Sequence, residues 1–424
     1  MRAVAAALLA AARAAAAPCD GVTFHVHAMP PLVPSNRPGR ALDAPLGRPL
    51  LPCEDVMHRF QSDGGGCGAY ENGHLGPAPP GGDFLGDHVW RTWQFSLAWL
   101  WHERVARHCA GPEEAADLVL VPYPFAEIHM ATYYGSGKVF LSLETRRAYE
   151  AAVRSSLLRS ARWRRCGGCD HVVVSARSFV EVEATAQRPR IGQFAVGDPF
   201  WANVSKLGHG APLRGAADHV YGVPYATFLH PRSAADLDAW RTHALASPRT
   251  ISATLVAGAR SHRRRVVEAC AAAADCAFVE CVDGCAECCS PRRVVEAYLA
   301  ADFCLVPPGD SPTRRAFFDA LLAGCVPVLR TRATADYAWY TPPAVLRDVA
   351  VVAPRLGATN DSDALLAPLR ALPRADVARM RRAALDLAQS LVYAADPGLG
   401  DAVDAGLRGL RRSRPDAFRS GASS

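Results

Sequence analysis

The sequence lacks the strong charge imbalance that is typical of a nucleic-acid-binding protein. Its 47 lysines and arginines are nearly matched by 41 aspartates and glutamates, which leaves a net charge of +6 over 424 residues. It also lacks an RNA-binding signature, a zinc-finger signature and an internal repeat. These absences exclude nucleic acid as an expected partner, whereas a mild basic excess suits an anionic small molecule or a polyanion.

A long apolar run is missing as well. The N-terminal stretch MRAVAAALLAAARAAAAPCDG is interrupted by Arg13, and its apolar part is shorter than the ~20 residues of a membrane span. Residues 1–20 are therefore interpreted as a secretory signal peptide or a weak signal-anchor, with a transit peptide or a disordered start as the alternative. Fourteen cysteines and the sequons at Asn203 and Asn360 favour an oxidising lumen, where disulfides persist.

What the sequence does contain is an alternation of short apolar strands with amphipathic helices, which is clearest after residue 250. Strands are predicted at 23–29, 118–121, 170–176, 250–258, 276–281, 302–308, 326–330 and 348–354. Helices are predicted at 92–109, 261–273, 291–301, 312–324, 361–371, 375–393 and 398–412. The pattern predicts an α/β fold with a doubly wound parallel sheet.

The predicted domain division follows from a loop-rich crossover around residues 205–250. It gives an N-terminal domain at 21–225 and a C-terminal domain at 226–395, followed by a helix and tail at 396–424.

One predicted helix begins with positive charge. In the segment PPGDSPTRRAFFDALLAGCVPVLR, Ser311 is suited to cap the helix, so Arg314 and Arg315 fall in its first turn. The helix dipole already presents about half a positive charge there. A bound phosphate or diphosphate would make both arginines favourable, because guanidinium groups bind phosphate oxygens two at a time. The alternative is a pair between Arg315 and Asp319, one turn further on, with Arg314 in solvent.

The same segment resembles the signature of exostosin-type glycosyltransferases. That signature joins an aromatic-Cys-Leu strand, Gly-Asp-Ser-Pro, an arginine pair, Phe-Asp-Ala and Gly-Cys-Val-Pro-Val. Further segments resemble the family in the same order, namely HAMPP (27–31), PEEAADLVLVPYPF (112–125), CGGCDHVVVSARS (166–178) and LVAGARSHRRRVVEAC (255–270). The resemblance covers residues 23–395 and is strongest in the second half.

The resemblance implies a GT-B architecture, with two Rossmann-like domains that face each other across a cleft. It implies inverting transfer of a hexosyl, pentosyl or glucuronosyl group from a UDP-sugar to a glycan hydroxyl, with no cofactor and no essential metal. The site residues that it implies are, for the donor diphosphate, Arg314, Arg315 and Arg260 and, for the donor sugar and ribose, Asp310, Ser311 and Asp319.

The sequence departs from the family where a catalytic base is expected. The family places a glutamate in an aromatic-x-x-Glu pattern on the first large helix, but Ser96 follows Trp93-Gln-Phe here. Glu103 and His102 lie further along that helix, and His171 matches the family's Asp-His pair. His171 is alternatively a hydrogen-bonded structural histidine at the start of a strand.

The cysteines leave two interpretations open. Cys166 and Cys169 form a CxxC pair, and the segment CVDGCAECC (281–289) holds four more cysteines. Thiolates of this kind can bind zinc, but the local spacing fits no standard finger and an oxidising lumen favours disulfides. Cys304 and Cys325 are expected to be buried thiols or a local pair.

Two other groups of residues are interpreted as structural. The basic runs Arg263–Arg265 and 408–415 are expected to be solvated helix faces, with binding of a polyanionic glycan as the alternative. Four tryptophans between residues 90 and 101 are expected to pack helices rather than stack on sugars.

The expected function is an inverting glycosyltransferase of the secretory pathway, in the Golgi lumen or as a type II membrane protein. It would act on a polysaccharide or a glycoprotein glycan, alone or in a homo- or hetero-oligomer with another transferase. The first alternative is a catalytically degenerate relative that binds glycan or supports a partner transferase. The second is a cysteine-rich, zinc-binding interaction module, which a bound-metal assay would separate.

Overall fold

The structure is a computed structural model that describes most of the chain. The described residues are 17–32, 71–76, 89–92, 96–125, 128, 142–176, 198–208, 219–281, 290–309, 313–330, 337, 341, 343–354, 356 and 358–421. The predicted leader, Asp310, Ser311 and residues 282–289 lie outside them. The chain divides into two units, a first made of Ala17–Gly76, Thr92–Val223 and Gly406–Ser424, and a second that includes Pro77–Arg91 and Pro224–Ala405.

Five parallel strands form the sheet of the first unit, in the order β1-β2-β3-β4-β5. They are β1 (Phe24–Val26), β2 (Leu118–Leu120), β3 (His171–Ser175), β4 (Ser205–Gly208) and β5 (Val220–Gly222). Parallel strands need crossover connections, and helices supply several of them here. These helices are α1 (Leu97–Arg104), which continues as a π-helical turn (Val105–Cys109), α2 (Leu143–Arg159) and α3 (Ala161–Cys166).

The second unit holds another sheet of five parallel strands, in the order β10-β9-β8-β6-β7. Its strands are β6 (Ile251–Ala257), β7 (Cys276–Glu280), β8 (Ala301–Val306), β9 (Val326–Leu329) and β10 (Val351–Val352). Its helices are α4 (Ala234–Ala246), α5 (Arg264–Ala272), α6 (Pro291–Leu299), α7 (Arg315–Leu322), α8 (Pro343–Val349), α9 (Ser362–Arg370) and α10 (Arg374–Ala388). The last long helix is α11 (Ala402–Ser413), along which the chain passes from the second unit to the first.

Side chains of the second sheet alternate between two apolar cores, one on each face. Along β8, Cys304 and Val306 join the core that α6 and α7 supply. Phe303 and Leu305 join the core that α5 and α9 supply. A sheet that is buried on both faces explains why its strands are mostly apolar in the sequence. The predicted α/β fold with two parallel-sheet domains is confirmed.

Two segments differ from the prediction. The strand expected at 348–354 is shorter than predicted. α8 runs to Val349 and buries Leu346 and Val349 on one face, which leaves Val351–Val352 as β10. The segment 205–250, expected to be a loop-rich crossover, contains β4, β5 and α4. The two strands are too short for a period to show, and α4 begins after Ser233, whose hydroxyl accepts from the Asp236 N–H.

Four disulfides join cysteines among the described residues. They are Cys19–Cys109, Cys166–Cys169, Cys270–Cys276 and Cys304–Cys325. The CxxC pair is therefore a disulfide, and the zinc interpretation of that pair is wrong. Cys304 and Cys325 form the local pair that was one of the two expectations for them. Covalent links of this kind are typical of proteins that fold in an oxidising compartment.

Among the described residues, none of the helices combines the length and the apolarity that crossing a bilayer requires.

A close contact between α1 and α11 gives a stability prediction. Gly406 packs against Trp101, which is fully buried, and an added methyl group would lie 2.8 Å from the ring atom Cζ2. We expect Gly406→Ala to lower the free energy of unfolding by about 1–2 kcal/mol, because overpacking outweighs the gain in helix propensity. Denaturant unfolding measures this. Gly111→Ala is the matched control, since a methyl group there meets nothing within 4 Å, and equal stability of the two variants would contradict the prediction.

Candidate donor site at the switch between β6 and β8

The order of the second sheet reverses between two neighbouring strands. From β6 the chain passes to β7 on one side, and it then returns to β8 on the other side of β6. Open α/β sheets bind ligands at the carboxyl ends of their strands, at such a reversal. Two turns leave the sheet at this point, Gly258–Arg260 after β6 and Pro307–Gly309 after β8. A ligand site is therefore expected at these two turns.

Arg263 lies between the two turns. Its Nε donates to the carbonyl of Pro308 at 3.0 Å, and its Nη1 donates to the carbonyl of Gly258 at 3.3 Å. Its exposed fraction is only 7%, whereas Arg264 and Arg265 are exposed. The prediction that Arg263 belongs to a solvated run is wrong, because the 3₁₀ turn Ser261–Arg263 that precedes α5 places this arginine against the loops.

Arg314 contacts the turn after β8 as well. Its Nη1 donates to the carbonyl of Pro307 at 3.3 Å, and its backbone N–H donates to the Tyr337 hydroxyl at 3.0 Å. A methyl group added at Gly309 would lie 2.6 Å from Arg314 Cδ and 3.1 Å from Arg263 Nη2. The side chains of both arginines therefore meet over the backbone of Gly309, which has no side chain to keep them away.

The helix that carries the arginine pair begins later than predicted. α7 starts at Arg315, and Arg314 precedes it with an extended backbone (φ −137°, ψ 143°). Arg314 is thus outside the first turn, and this part of the prediction is wrong. The backbone N–H of Arg314 bonds to Tyr337 instead. As a result, the two side chains have different surroundings. That of Arg314 contacts the turn after β8, and that of Arg315 is largely buried beside Asp319.

Arg315 is held inside the unit. Its Nε bonds Asp319 Oδ2 at 3.2 Å, and its guanidinium lies over the Phe228 ring, 3.7 Å from the ring centre. Burial raises the pKa of Asp319 to about 6, although Arg315 and the Phe228 N–H both oppose that rise. The pair between Arg315 and Asp319, one of the two alternatives that the sequence left open, is formed. Asp319 is 8% exposed.

The remaining predicted donor residues are placed as follows. Arg260 is exposed at the surface, at the end of the turn that follows β6. Asp310 and Ser311 lie outside the described residues. Arg263 is the functional candidate that sequence reasoning missed. Three arginines follow one another at 263–265, and only the turn geometry tells which of them faces the site.

The predicted base candidates lie in the first unit. Glu103 on α1 forms an ion pair with Arg107 at 2.5 Å, one turn further along. His102 is buried beside it, and burial lowers its pKa to about 3. His171 is fully buried, with its Nδ1 2.7 Å from Asp170 Oδ1 and its ring edge-on to Trp163. The surroundings of His171 are those expected of a structural histidine.

Comparisons with known proteins point to one family. A family model described as the Exostosin GT47 domain matches residues 21–359. The Arabidopsis thaliana protein named "Probable xyloglucan galactosyltransferase GT17" is 29% identical over 345 residues, which are 77% of this chain and 72% of that protein. "Xyloglucan galactosyltransferase XLT2" from the same plant is 28% identical over 347 residues, 78% of this chain and 65% of that protein.

A third relative carries a different sugar in its name. "Xyloglucan-specific galacturonosyltransferase 1" of Arabidopsis thaliana is 27% identical over 273 residues, which are 61% of this chain and 39% of that protein. The chain thus spans less than two thirds of the length of the second and third of these relatives.

Proposed function

The chain belongs to the Exostosin GT47 family of glycosyltransferases, and from that premise we propose that it transfers a sugar from a UDP-sugar to a hydroxyl of a polysaccharide. The relatives' names support a xyloglucan-type acceptor. They also include both a neutral and an acidic sugar, so the proposal does not choose the donor sugar. The proposed setting is the Golgi lumen, which agrees with the four disulfides among the described residues.

The observation that carries the proposal is the meeting of Arg263 and Arg314 over Gly309, at the switch between β6 and β8. Two guanidinium groups at the carboxyl edge of a parallel sheet attract an anion such as a diphosphate. In the proposed reaction the bond between the sugar and UDP breaks, and negative charge grows on the diphosphate. Arg263 and Arg314 stabilise that charge, so no metal is required for this step.

In this proposal Arg315 and Asp319 have a structural role. Their pair is largely buried and is packed against Phe228, so it holds the start of α7 in place rather than binding the nucleotide. This assignment changes the earlier expectation that Arg315 binds the diphosphate and Asp319 the ribose.

Acceptor attack on the face of the sugar opposite UDP would make the reaction inverting.

A second candidate function has its own observation. Glu103 is engaged by Arg107 and His171 is fully buried, so neither predicted base is presented to an acceptor hydroxyl in the described part of the chain. This favours a catalytically degenerate relative that keeps the donor site and binds without transfer. The two candidates agree on UDP binding and differ on turnover.

Calorimetric titration with UDP, without metal and then with manganese, tests the donor site first. We expect metal-independent binding, followed by release of UDP when a suitable UDP-sugar and a xyloglucan oligosaccharide are added. Binding without any release or transfer would favour the degenerate relative. No binding by a well-folded sample in either condition would overturn both candidates.

Gly309 offers a test that leaves both arginines in the chain. Because a methyl group at Gly309 overlaps Arg314 Cδ and crowds Arg263 Nη2, Gly309→Ala should push the arginines away from the diphosphate. A hydrogen bond to a charged group contributes roughly 1.5–3 kcal/mol, so we expect UDP affinity to fall about 10- to 100-fold. Calorimetry measures this, and Gly111→Ala is the control with unchanged affinity. An unaltered affinity in Gly309→Ala would place the diphosphate elsewhere.

A further inference from the structure

Two asparagines lie in sequons, and the structure gives them different surroundings. Asn203 begins Asn-Val-Ser in the turn before β4, in the first unit. Asn360 begins Asn-Asp-Ser in the loop between β10 and α9, in the second unit. A sequon is a target for N-glycosylation only where the folded chain can also accommodate the glycan. The surroundings of the two amide nitrogens therefore determine which asparagine can be modified.

The Asn360 amide is held loosely at the surface. Its Nδ2 lies 3.4 Å from Glu268 Oε2, at the outer limit of a hydrogen bond, and Glu268 itself is exposed. The next residue, Asp361, caps α9 through its own carboxylate, which accepts from the N–H groups of Asp363 and Ala364. The cap of α9 therefore does not depend on the Asn360 side chain.

Asn203 is also exposed, but its amide makes a shorter hydrogen bond, to the backbone of a neighbouring turn. Its Nδ2 donates to the carbonyl of Cys166 at 3.1 Å and lies 3.3 Å from where a methyl group on Gly167 would be. Its backbone carbonyl accepts from Arg414 Nη1 at 2.5 Å. The other two sequon residues, Val204 and Ser205, are fully buried. A glycan on Nδ2 would have to fit against the Cys166–Cys169 turn.

We propose that Asn360 carries an N-linked glycan and that Asn203 does not. The donor is an oligosaccharide linked through a diphosphate to a lipid carrier. The Asn360 Nδ2 forms a bond to the sugar C1 and gives up one proton to a base of the transferring enzyme, while the bond from C1 to the diphosphate oxygen breaks. The lipid diphosphate leaves with that oxygen. The proposal rests on entry into the secretory pathway, which is part of the proposed function.

The test uses the full-length chain expressed in a eukaryotic secretory host. Treatment with peptide-N-glycosidase should increase the gel mobility of the parent chain by the shift of a single glycan and should leave an aspartate at position 360 in its peptide. Asn360→Gln and Ser362→Ala should each abolish the shift, the second with the asparagine retained. Asn203→Gln should leave the shift unchanged. UDP titration of Asn360→Gln should match that of the parent chain.

Other outcomes overturn the proposal in distinguishable ways. A glycan at Asn203, or glycans at both asparagines, would show that the Asn203 contacts do not exclude modification. No glycan on a chain whose cysteines are disulfide-bonded would show that Asn360 is not used although the compartment is right. No glycan on a chain with reduced cysteines would overturn secretory entry as well. In each case the UDP titration reports on the transferase proposal separately.

Discussion

Arg314→Ala is expected to reduce UDP affinity about 10- to 100-fold and turnover about 100- to 1000-fold, while the chain keeps its thermal stability. The affinity loss follows from removing one guanidinium from the diphosphate. The larger loss of turnover follows because the charge on the leaving diphosphate is greatest in the transition state. Stability should survive because the bond from the Arg314 backbone N–H to Tyr337 is kept, and the bond from the Arg314 side chain to the Pro307 carbonyl is long at 3.3 Å.

Two other arginine variants sharpen the interpretation of that result. Arg260→Ala removes an exposed arginine from the same region, and we expect it to change UDP affinity little. Arg315→Ala removes the ion-pair partner of Asp319 and the cation over the Phe228 ring, so it should lower the melting temperature. Calorimetry and thermal unfolding on all three variants separate the roles. An unchanged UDP affinity in Arg314→Ala would contradict the assignment of Arg314 to the diphosphate. An equal loss of UDP affinity in Arg260→Ala would contradict it as well.

The sequence predicted the second sheet well for a physical reason. β6, β8 and β9 are buried on both faces over most of their length, so each is a mostly apolar segment between clear turns. The short strands β4 and β5 carry no such run and were missed. The reversal of strand order between β6 and β8, where the proposed donor site lies, is a property of the sheet and has no local sequence pattern.

The arginines show where sequence reasoning stops. The spacing of Arg315 and Asp319 allowed both a structural pair and a ligand site. Phe228, which is distant in the sequence, favours the structural pair. Its ring lies against the Arg315 guanidinium, and its backbone N–H bonds to Asp319. Arg263 was assigned to the surface because its neighbours in the sequence are also arginines. Packing across distant segments decided both cases, and local periodicity does not carry that information.

Asp170→Asn is expected to have the largest effect on stability, a loss of about 3–5 kcal/mol in the free energy of unfolding. Asp170 is fully buried, and its Oδ2 accepts from Arg162 Nε at 2.9 Å and from Arg165 Nη2 at 2.8 Å. Arg162 also donates to the carbonyls of Glu113 and Ala116, so it ties α3 to the loop before β2. An asparagine would leave Arg162 with a largely buried and uncompensated charge.

The same carboxylate predicts how stability changes with acid. Burial by itself would raise the pKa of Asp170, but the hydrogen bonds from His171 and Arg162 outweigh burial and hold the pKa at about 2, below its ordinary value of 3.8. A lowered pKa means that its stabilisation is present above pH 3.8 and is lost as the pH falls through about 2. Asp170→Asn should therefore remove the last, most acidic part of the stability loss.

Buried histidines produce a separate loss at higher pH, which Asp170→Asn should keep. Burial lowers the pKa of His102 to about 3 and that of His230 to about 4, from an ordinary value of 6.5. The stability that they contribute is present above pH 6.5 and falls as the pH drops toward these values. Unfolding at pH 7, 5, 3 and 2 distinguishes the two windows, because the loss between pH 7 and 5 comes from the histidines and the loss between pH 3 and 2 comes mainly from Asp170.

Asp275→Asn is the matched control for the buried carboxylate. Asp275 is also bound by an arginine, Arg370, but its side chain is 37% exposed. Solvent screens such a pair, so we expect a loss below about 1 kcal/mol. The Asp170 variant also tests His171, because a catalytic Asp-His pair would lose turnover at unchanged stability. A stability loss as small as that of Asp275→Asn, together with lost turnover, would indicate a catalytic role for His171. It would also mean that water can solvate the Arg162 guanidinium when the carboxylate is removed.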